Sequence, residues 1–275
     1  MAKIKICLDA GHYGKYNRSP ANKAYYESDM NWKLHNLLKK YLEQYGIEVI
    51  QTRSNQATDL ALTSRGKAAA GCNLFLSIHS NAAGSGVNES VDYPVVYVPL
   101  NGSGNTLGKK LAECIEKTMG TKQKGKTESK KGNNGDYYGV IRGAVSVGVP
   151  GLILEHSFHT NTKMTNWLLD DKNLDKMAQA EAAVIAAHYG LKKAETEGVK
   201  TVNIEMTVLK KGAKGEQVKT LQRLLLAFGY DLKNYGVDGS FGGVTDTAVR
   251  AFQKANGLAV DGSVGKATWT KLLKG

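Results

Sequence analysis

The side chains able to do chemistry sit at the ends of apolar runs. Leu8-Asp9-Ala10-Gly11-His12 closes one run, Ser77-Ile78-His79-Ser80-Asn81 a second, and Leu154-Glu155 a third. Glu27 opens a helical pattern after a loop containing glycine and tyrosine. Two histidines and one carboxylate, with a fourth position open, are the usual ligand set of a catalytic zinc in hydrolases. Such an ion lowers the pKa of its bound water to about 7, and a nearby carboxylate can then take the proton. That scheme needs three ligands and a base, and His12, Glu27, His79 and Glu155 fill it. On spacing alone the pattern stays open to a structural reading, because the groups are scattered and form no compact HExxH motif.

These groups act together only if the chain brings them to one edge. Strand-like runs cover residues 3–9, 47–52, 73–79, 91–99 and 151–155. Helical spacing covers residues 28–45, 60–70, 106–119 and 173–189, with Gly46 and Gly71 closing the first two helices. This alternation predicts an α/β layer with a mostly parallel sheet. Ligands of such sheets bind outside the carboxyl ends of the strands, which places His12, His79 and Glu155 on the same edge. Between Gly120 and Gly139 the pattern fails, and TKQKGKTESKKGNNGDYYG reads as an exposed loop, either on the substrate side or a plain basic surface.

The runs LDAGHYG, YESDMN, TRSNQATDLALTSRGKAAAGCNLFLSIHSNA and PGLILEHSFHTN resemble the zinc N-acetylmuramoyl-L-alanine amidases of the type 3 family, over residues 3–190. The resemblance implies a doubly wound sheet with helices on both faces and one Zn2+ per chain. It implies His12, Glu27 and His79 as ligands and Glu155 as the catalytic carboxylate. The implied reaction is hydrolysis of the bond between N-acetylmuramic acid and L-alanine in peptidoglycan. Other readings are a zinc peptidase cutting within the stem peptide and a wall-binding protein whose first domain has lost catalysis. Arg53 and Arg65 match family arginines, read as pairing with carboxylates to fix loops in preference to touching substrate. The chain departs from the family at Ala10 and Tyr13, and again at Glu155-His156-Ser157-Phe158-His159, where a small or apolar pair more often precedes the phenylalanine. His159 is expected to touch substrate, orient Glu155 or serve structure; His156 is read as structural, and His35 and His188 as structural or exposed. Asp9 either orients His12 through its second ring nitrogen or caps the turn.

Residues 191–206 are polar and charged and read as a linker. Beyond them VDGSFGGVTDTAV and VDGSVGKATWTKL share a VDGS-x-G-x-x-T frame, an internal repeat in which an Asp-Gly turn precedes a threonine able to start a helix. With LKKGAKGEQVKTLQRLLLAFGY this is similar to the peptidoglycan-binding type 1 domain, a small all-α three-helix repeat module. The expected organisation is a catalytic domain over residues 1–190, a linker over 191–206 and a wall-binding domain over 207–275. Trp269 and Phe252 have core-like spacing and are read as packing, not as a sugar platform.

Composition bounds the partners. With 275 residues, 41% hydrophobic and 23% charged, the chain has material for an ordinary globular core. Its formal net charge of +12 favours polyanions: nucleic acid, anionic membranes, or teichoic acids and other anionic wall polymers. The interleaved basic and aromatic pattern of nucleic-acid binding is missing. No apolar run approaches a membrane span, and three well-separated cysteines imply no disulfide framework. The first residues, MAKIKICLDAGH, show no signal peptide. The expectation is a cytoplasmic product that reaches the wall only after release, as a holin-dependent phage endolysin does; a bacterial autolysin or sporulation-stage enzyme is the alternative.

Overall fold

A computed structural model describes residues 3–193 and 207–274. Residues 194–206, most of the expected linker, lie outside the described residues. The chain divides into two compact units, Met1–Glu197 and Gly198–Gly275.

The first unit runs β1 (Lys5–Ala10), α1 (Glu27–Glu43), β2 (Glu48–Gln51), α2 (Leu62–Lys67), β3 (Leu74–Asn81), β4 (Val95–Tyr97), α3 (Asn105–Met119), β5 (Lys126–Glu128), β6 (Lys131–Gly132), β7 (Gly135–Asp136), α4 (Gly139–Ser146), β8 (Gly151–Phe158), α5 (Thr162–Leu169) and α6 (Asp171–His188). Six strands form one sheet in the order β2-β1-β3-β8-β4-β5. The pairs β2-β1, β1-β3 and β3-β8 are parallel, while β4 runs antiparallel to β8 and carries β5 parallel to itself. The fold is thus α/β with a mostly parallel sheet covered on both faces.

Strand alternation explains the two covered faces. Ile6, Leu8, Leu76, Ile78, Leu152 and Leu154 join α1, α3 and α6 in one core. Cys7, Phe75 and Ile153, which point the other way, join Val140, Ile141 and Ala144 of α4 in a second. A sheet buried on both sides needs continuous apolar runs in its central strands, which is what β3 and β8 carry. On the second face α2 and α4 cross with their backbones in contact. A Cβ on Gly66 would lie 2.1 Å from the Val140 carbonyl oxygen, and one on Gly143 2.2 Å from that of Thr63. Any side chain at either position would push apart the helices that roof this part of the sheet.

Three local readings need correction. The stretch after Gly120 is not only a loop: β5 extends the sheet, and β6 pairs with β7 as a short hairpin. Lysine-rich segments are common on sheet edges, where charge blocks further pairing, so their composition hides the strand. Helices α4 and α5 are absent from the sequence reading because each has only eight residues, too few for the apolar period to repeat. The helix expected over residues 60–70 is shorter, Leu62–Lys67.

The second unit packs α7 (Glu216–Ala227), α8 (Gly243–Ala255) and α9 (Lys266–Lys274) around Leu221, Leu225, Phe241, Val249, Phe252 and Trp269. Phe252 and Trp269 are core residues, at 1% and 3% exposure. The repeat is visible atom by atom. Gln222 Nε2 donates to Asp238 Oδ1 (2.7 Å) and the Ser240 carbonyl (3.1 Å), while its Oε1 accepts from Gly239 N (2.9 Å). Gln253 does the same to Asp261 (2.8 Å), Ser263 (3.0 Å) and Gly262 (3.0 Å). Each buried glutamine therefore satisfies one Asp-Gly turn. Thr245 does not cap α8 as expected: it lies inside the first turn, where Gln222 Nε2 donates to its hydroxyl at 3.2 Å, and Gly242 holds the cap position.

Candidate active site

The strand ends deliver the chemistry. Parallel pairing sets Ala10 beside Ile78 and His79 beside Glu155. His12 follows β1 with φ 56°, a left-handed conformation that is uncommon outside glycine. Arg53 holds that turn: Nη2 donates to the Ala10 carbonyl at 2.9 Å and also to the His12 carbonyl. Gly11 is obligatory for a different reason, since a Cβ there would fall 2.2 Å from the His79 ring. Glu27, the first residue of α1, is 1% exposed and reaches both histidines. Its Oε1 is 2.9 Å from His79 Nδ1 and its Oε2 is 3.3 Å from His12 Nε2. One donor atom from each of the three residues lies within 4.8 Å of the others.

The surroundings orient these donors. Asn17 Nδ2 is 2.6 Å from Glu27 Oε2 and 3.1 Å from His12 Nε2. Ser80 N donates to Glu27 Oε1 at 3.1 Å. Tyr16 stacks on the His12 ring, with centroids 4.9 Å apart and planes 17° from parallel. Burial alone would raise the Glu27 pKa, but hydrogen bonds and charge from His12 and His79 outweigh it and hold the carboxyl well below the usual range. Glu155 has the opposite fate. Burial, reinforced by the charge of Glu27, pushes its carboxyl well above the ordinary value, and its buried Oε2 has no hydrogen-bond partner. His12, His79 and Glu155 line one cavity of about 540 Å³ together with Tyr13, Tyr16 and Tyr138. Two imidazoles and a carboxylate are nitrogen and oxygen donors that suit zinc, and a second carboxylate, Glu155, lines the cavity beside the two histidines.

The N-acetylmuramoyl-L-alanine amidase family matches residues 6–187. The chain belongs to this family. A peptidoglycan binding domain family matches residues 214–272. CwlL, an N-acetylmuramoyl-L-alanine amidase of Bacillus licheniformis, is 56% identical over 62 residues, which is 22% of this chain and 17% of CwlL. The chain thus spans only 17% of that relative's length, and the same share of a second relative from the same species. CwlM, an N-acetylmuramoyl-L-alanine amidase also from Bacillus licheniformis, is 29% identical over 194 residues, covering 69% of this chain and 70% of CwlM. The solved catalytic domain of CwlV, an N-acetylmuramoyl-L-alanine amidase from Bacillus (Paenibacillus) polymyxa var. colistinus, superposes with a TM-score of 0.58 at 25% identity, covering 69% of this chain and 99% of that domain.

Within this amidase unit some expected residues take other roles. Asp9 neither orients His12 nor caps the turn. It accepts from Arg65 Nε at 2.9 Å and again from Arg65 Nη2, and also from Ser77 Oγ (2.6 Å) and Thr52 Oγ1 (2.7 Å). Arg65 thus pairs with a carboxylate as expected but joins α2 to β1 and not a loop, whereas Arg53 fixes its loop through carbonyls. His159 lies off the cavity lining, with Nδ1 2.9 Å from Ser80 Oγ and its ring stacked on Tyr25. His156 and His35 are fully buried, and His188 is on the surface. Asn17 and Ser80 escape the sequence reading. A lone polar residue in a loop carries no periodic signal, although Ser80 stands directly after a candidate ligand.

Proposed function

We propose that the first unit is a zinc-dependent amidase that hydrolyses the bond between the lactyl group of N-acetylmuramic acid and L-alanine in peptidoglycan. The observation that carries this reading is the convergence of His12, Glu27 and His79 donor atoms, with the two histidines and Glu155 lining one cavity. His12, Glu27 and His79 would hold the ion. Zinc supplies, when bound, a Lewis acid for the scissile carbonyl and for water. Glu27 stays ionised and has both oxygens engaged, so its position is fixed. The His79 ring is locked between Gly11 and Glu27. Glu155 takes a proton from the attacking water on its carboxylate and returns it to the leaving amine. A carboxyl lifted above its ordinary value is closer to working pH, where one group both accepts and donates.

We further assign catalysis to residues 1–190 and attachment to the wall to residues 207–275, joined by 191–206. The match over residues 214–272 supports the second assignment, and the net charge of +12 favours anionic wall polymers as an auxiliary contact.

Glu155→Gln keeps the shape and removes the base. Digestion of purified sacculi by this variant is expected to fall by about 10²–10⁴-fold while zinc content is unchanged. The parent products, read by mass spectrometry, are stem peptides with new L-alanine amino termini and intact glycan chains. A Glu155→Gln protein that works near the parent rate removes the role given to Glu155; cuts within the stem peptide point instead to a peptidase.

A further inference from the structure

His156 and Glu181 form a buried pair directly beneath the zinc-ligand strand. From Phe75 to His79, β3 pairs with β8 one residue for one; then the register slips, so that Asn81 faces Phe158. The extra residue lies on β8, where Ser157 has φ 59°. A bulge of this kind interrupts the ladder and leaves a backbone group in need of a partner. The His156 ring bonds the chain at the edge of this slip: Nδ1 is 3.0 Å from the His79 carbonyl oxygen. A carbonyl only accepts, so Nδ1 donates. On the far side of the ring Nε2 is 2.7 Å from Glu181 Oε1 of α6, and both side chains are 0% exposed. Glu155 faces the cavity, and His156, its neighbour on the strand, faces α6.

We infer that His156 and Glu181 are positioning residues for the metal site. The pair braces the His79 carbonyl at the last residue before the register slips. It thereby fixes the backbone of His79 and the adjacent Ser80 N–H, which donates to Glu27 Oε1 at 3.1 Å. A single imidazole held at both nitrogens thus sets the placement of two of the three ligands. The inference rests on the zinc reading above, and it assigns a function to one of the two histidines that depart from the family pattern after Glu155. A pair present only for packing would be replaceable by apolar residues without effect on metal binding, since swapping a buried ion pair for apolar side chains is often neutral for stability.

The test compares full-length double variants in zinc titrations against a competing chelating dye, with folding checked by circular dichroism. His156→Asn with Glu181→Gln keeps a donor where Nδ1 stood and leaves no buried charge unpaired. His156→Leu with Glu181→Leu removes the donor. The leucine pair is expected to bind zinc about 10–100-fold more weakly than the parent, and the asparagine–glutamine pair about as tightly as the parent. Leucine-pair affinity equal to the parent's overturns the inference while leaving the zinc reading intact; a parent protein that takes up no zinc overturns both. A second measurement needs no variant. Long-range proton–nitrogen spectra of the parent should show a proton on His156 Nδ1, and a bare Nδ1 overturns the inference whether or not the variants fold.

Discussion

Asp9 shows how much rests on single side chains beneath the cavity. It is 0% exposed and accepts hydrogen bonds from Arg65, Ser77 and Thr52. Burial would raise its pKa, but the charge and hydrogen bonds of Arg65, aided by Ser77 and Thr52, outweigh that and hold it below the usual range. Arg65 lies on α2 and lines the cavity, so this ion pair ties β1 to its roof. Asp9→Asn leaves a buried guanidinium with only the more distant Asp59 carboxylate, 3.8 Å away, and is expected to destabilise the fold by about 3–5 kcal/mol. Denaturant unfolding measures this; a loss below about 1 kcal/mol, as for an exposed pair, contradicts it. The residue scale is also where sequence reading is least complete. His12, Glu27, His79 and Glu155 stand out because ionisable groups end or follow apolar runs. The role of Asp9 did not, because its partner is 56 residues away and nothing local marks the pairing. The His156–Glu181 pair, 25 residues apart, was hidden for the same reason; Asn17, close in sequence to His12 and Glu27, was hidden because a lone loop residue has no periodic signal.

At the scale of elements, α1 does two jobs. Its first residue is Glu27, and its body packs His35 against β2, with Nε2 3.4 Å from Gln51 Nε2 and the ring stacked on Trp32. Burial, with the nearby charge of Arg53 opposed by that of Asp9, moves the His35 pKa down from 6.5 to about 4. Between those values the unfolded chain binds a proton that the folded chain does not. This contribution to stability is therefore complete above pH 6.5 and falls as pH drops, with the loss complete at about 4. The drop is about 3 kcal/mol across that window. His35 Nδ1 has no partner, so His35→Leu removes the acid-sensitive group and gives up only the long Gln51 contact on Nε2. Unfolding curves of the variant, taken relative to the parent, are expected to gain about 3 kcal/mol between pH 7 and pH 4. Parallel pH profiles for the two proteins would rule this out. Helices α1, α3 and α6 were legible because their apolar residues recur at helical spacing and glycine follows α3 directly. By contrast α4, α5 and β5 are short, and tertiary pairing decides them more than local pattern.

The whole molecule has two units, each with its own apolar core. In the proposed reading, that arrangement separates cutting from holding. A chain ending at residue 193 is expected to hydrolyse small peptidoglycan fragments at the parent rate while its retention on sacculi falls roughly tenfold or more, because one of two attachments is gone. Pelleting assays beside fragment hydrolysis decide this, and equal retention would remove the wall-binding role from the second unit. The VDGS repeat made that unit legible, since each copy repeats the same turn; the use of Gln222 and Gln253 to hold those turns is visible only in three dimensions. The central claim is that three ligands and one base at a strand edge make a one-zinc amidase. Its most direct test strips the full-length protein with a chelator, returns zinc in steps, and follows release of peptides bearing L-alanine amino termini. The account predicts that release stops on stripping and returns to a plateau at one zinc per chain, and that His79→Ala neither takes up the ion nor recovers. Undiminished release from the stripped protein, or zinc uptake indifferent to the loss of His79, would contradict it.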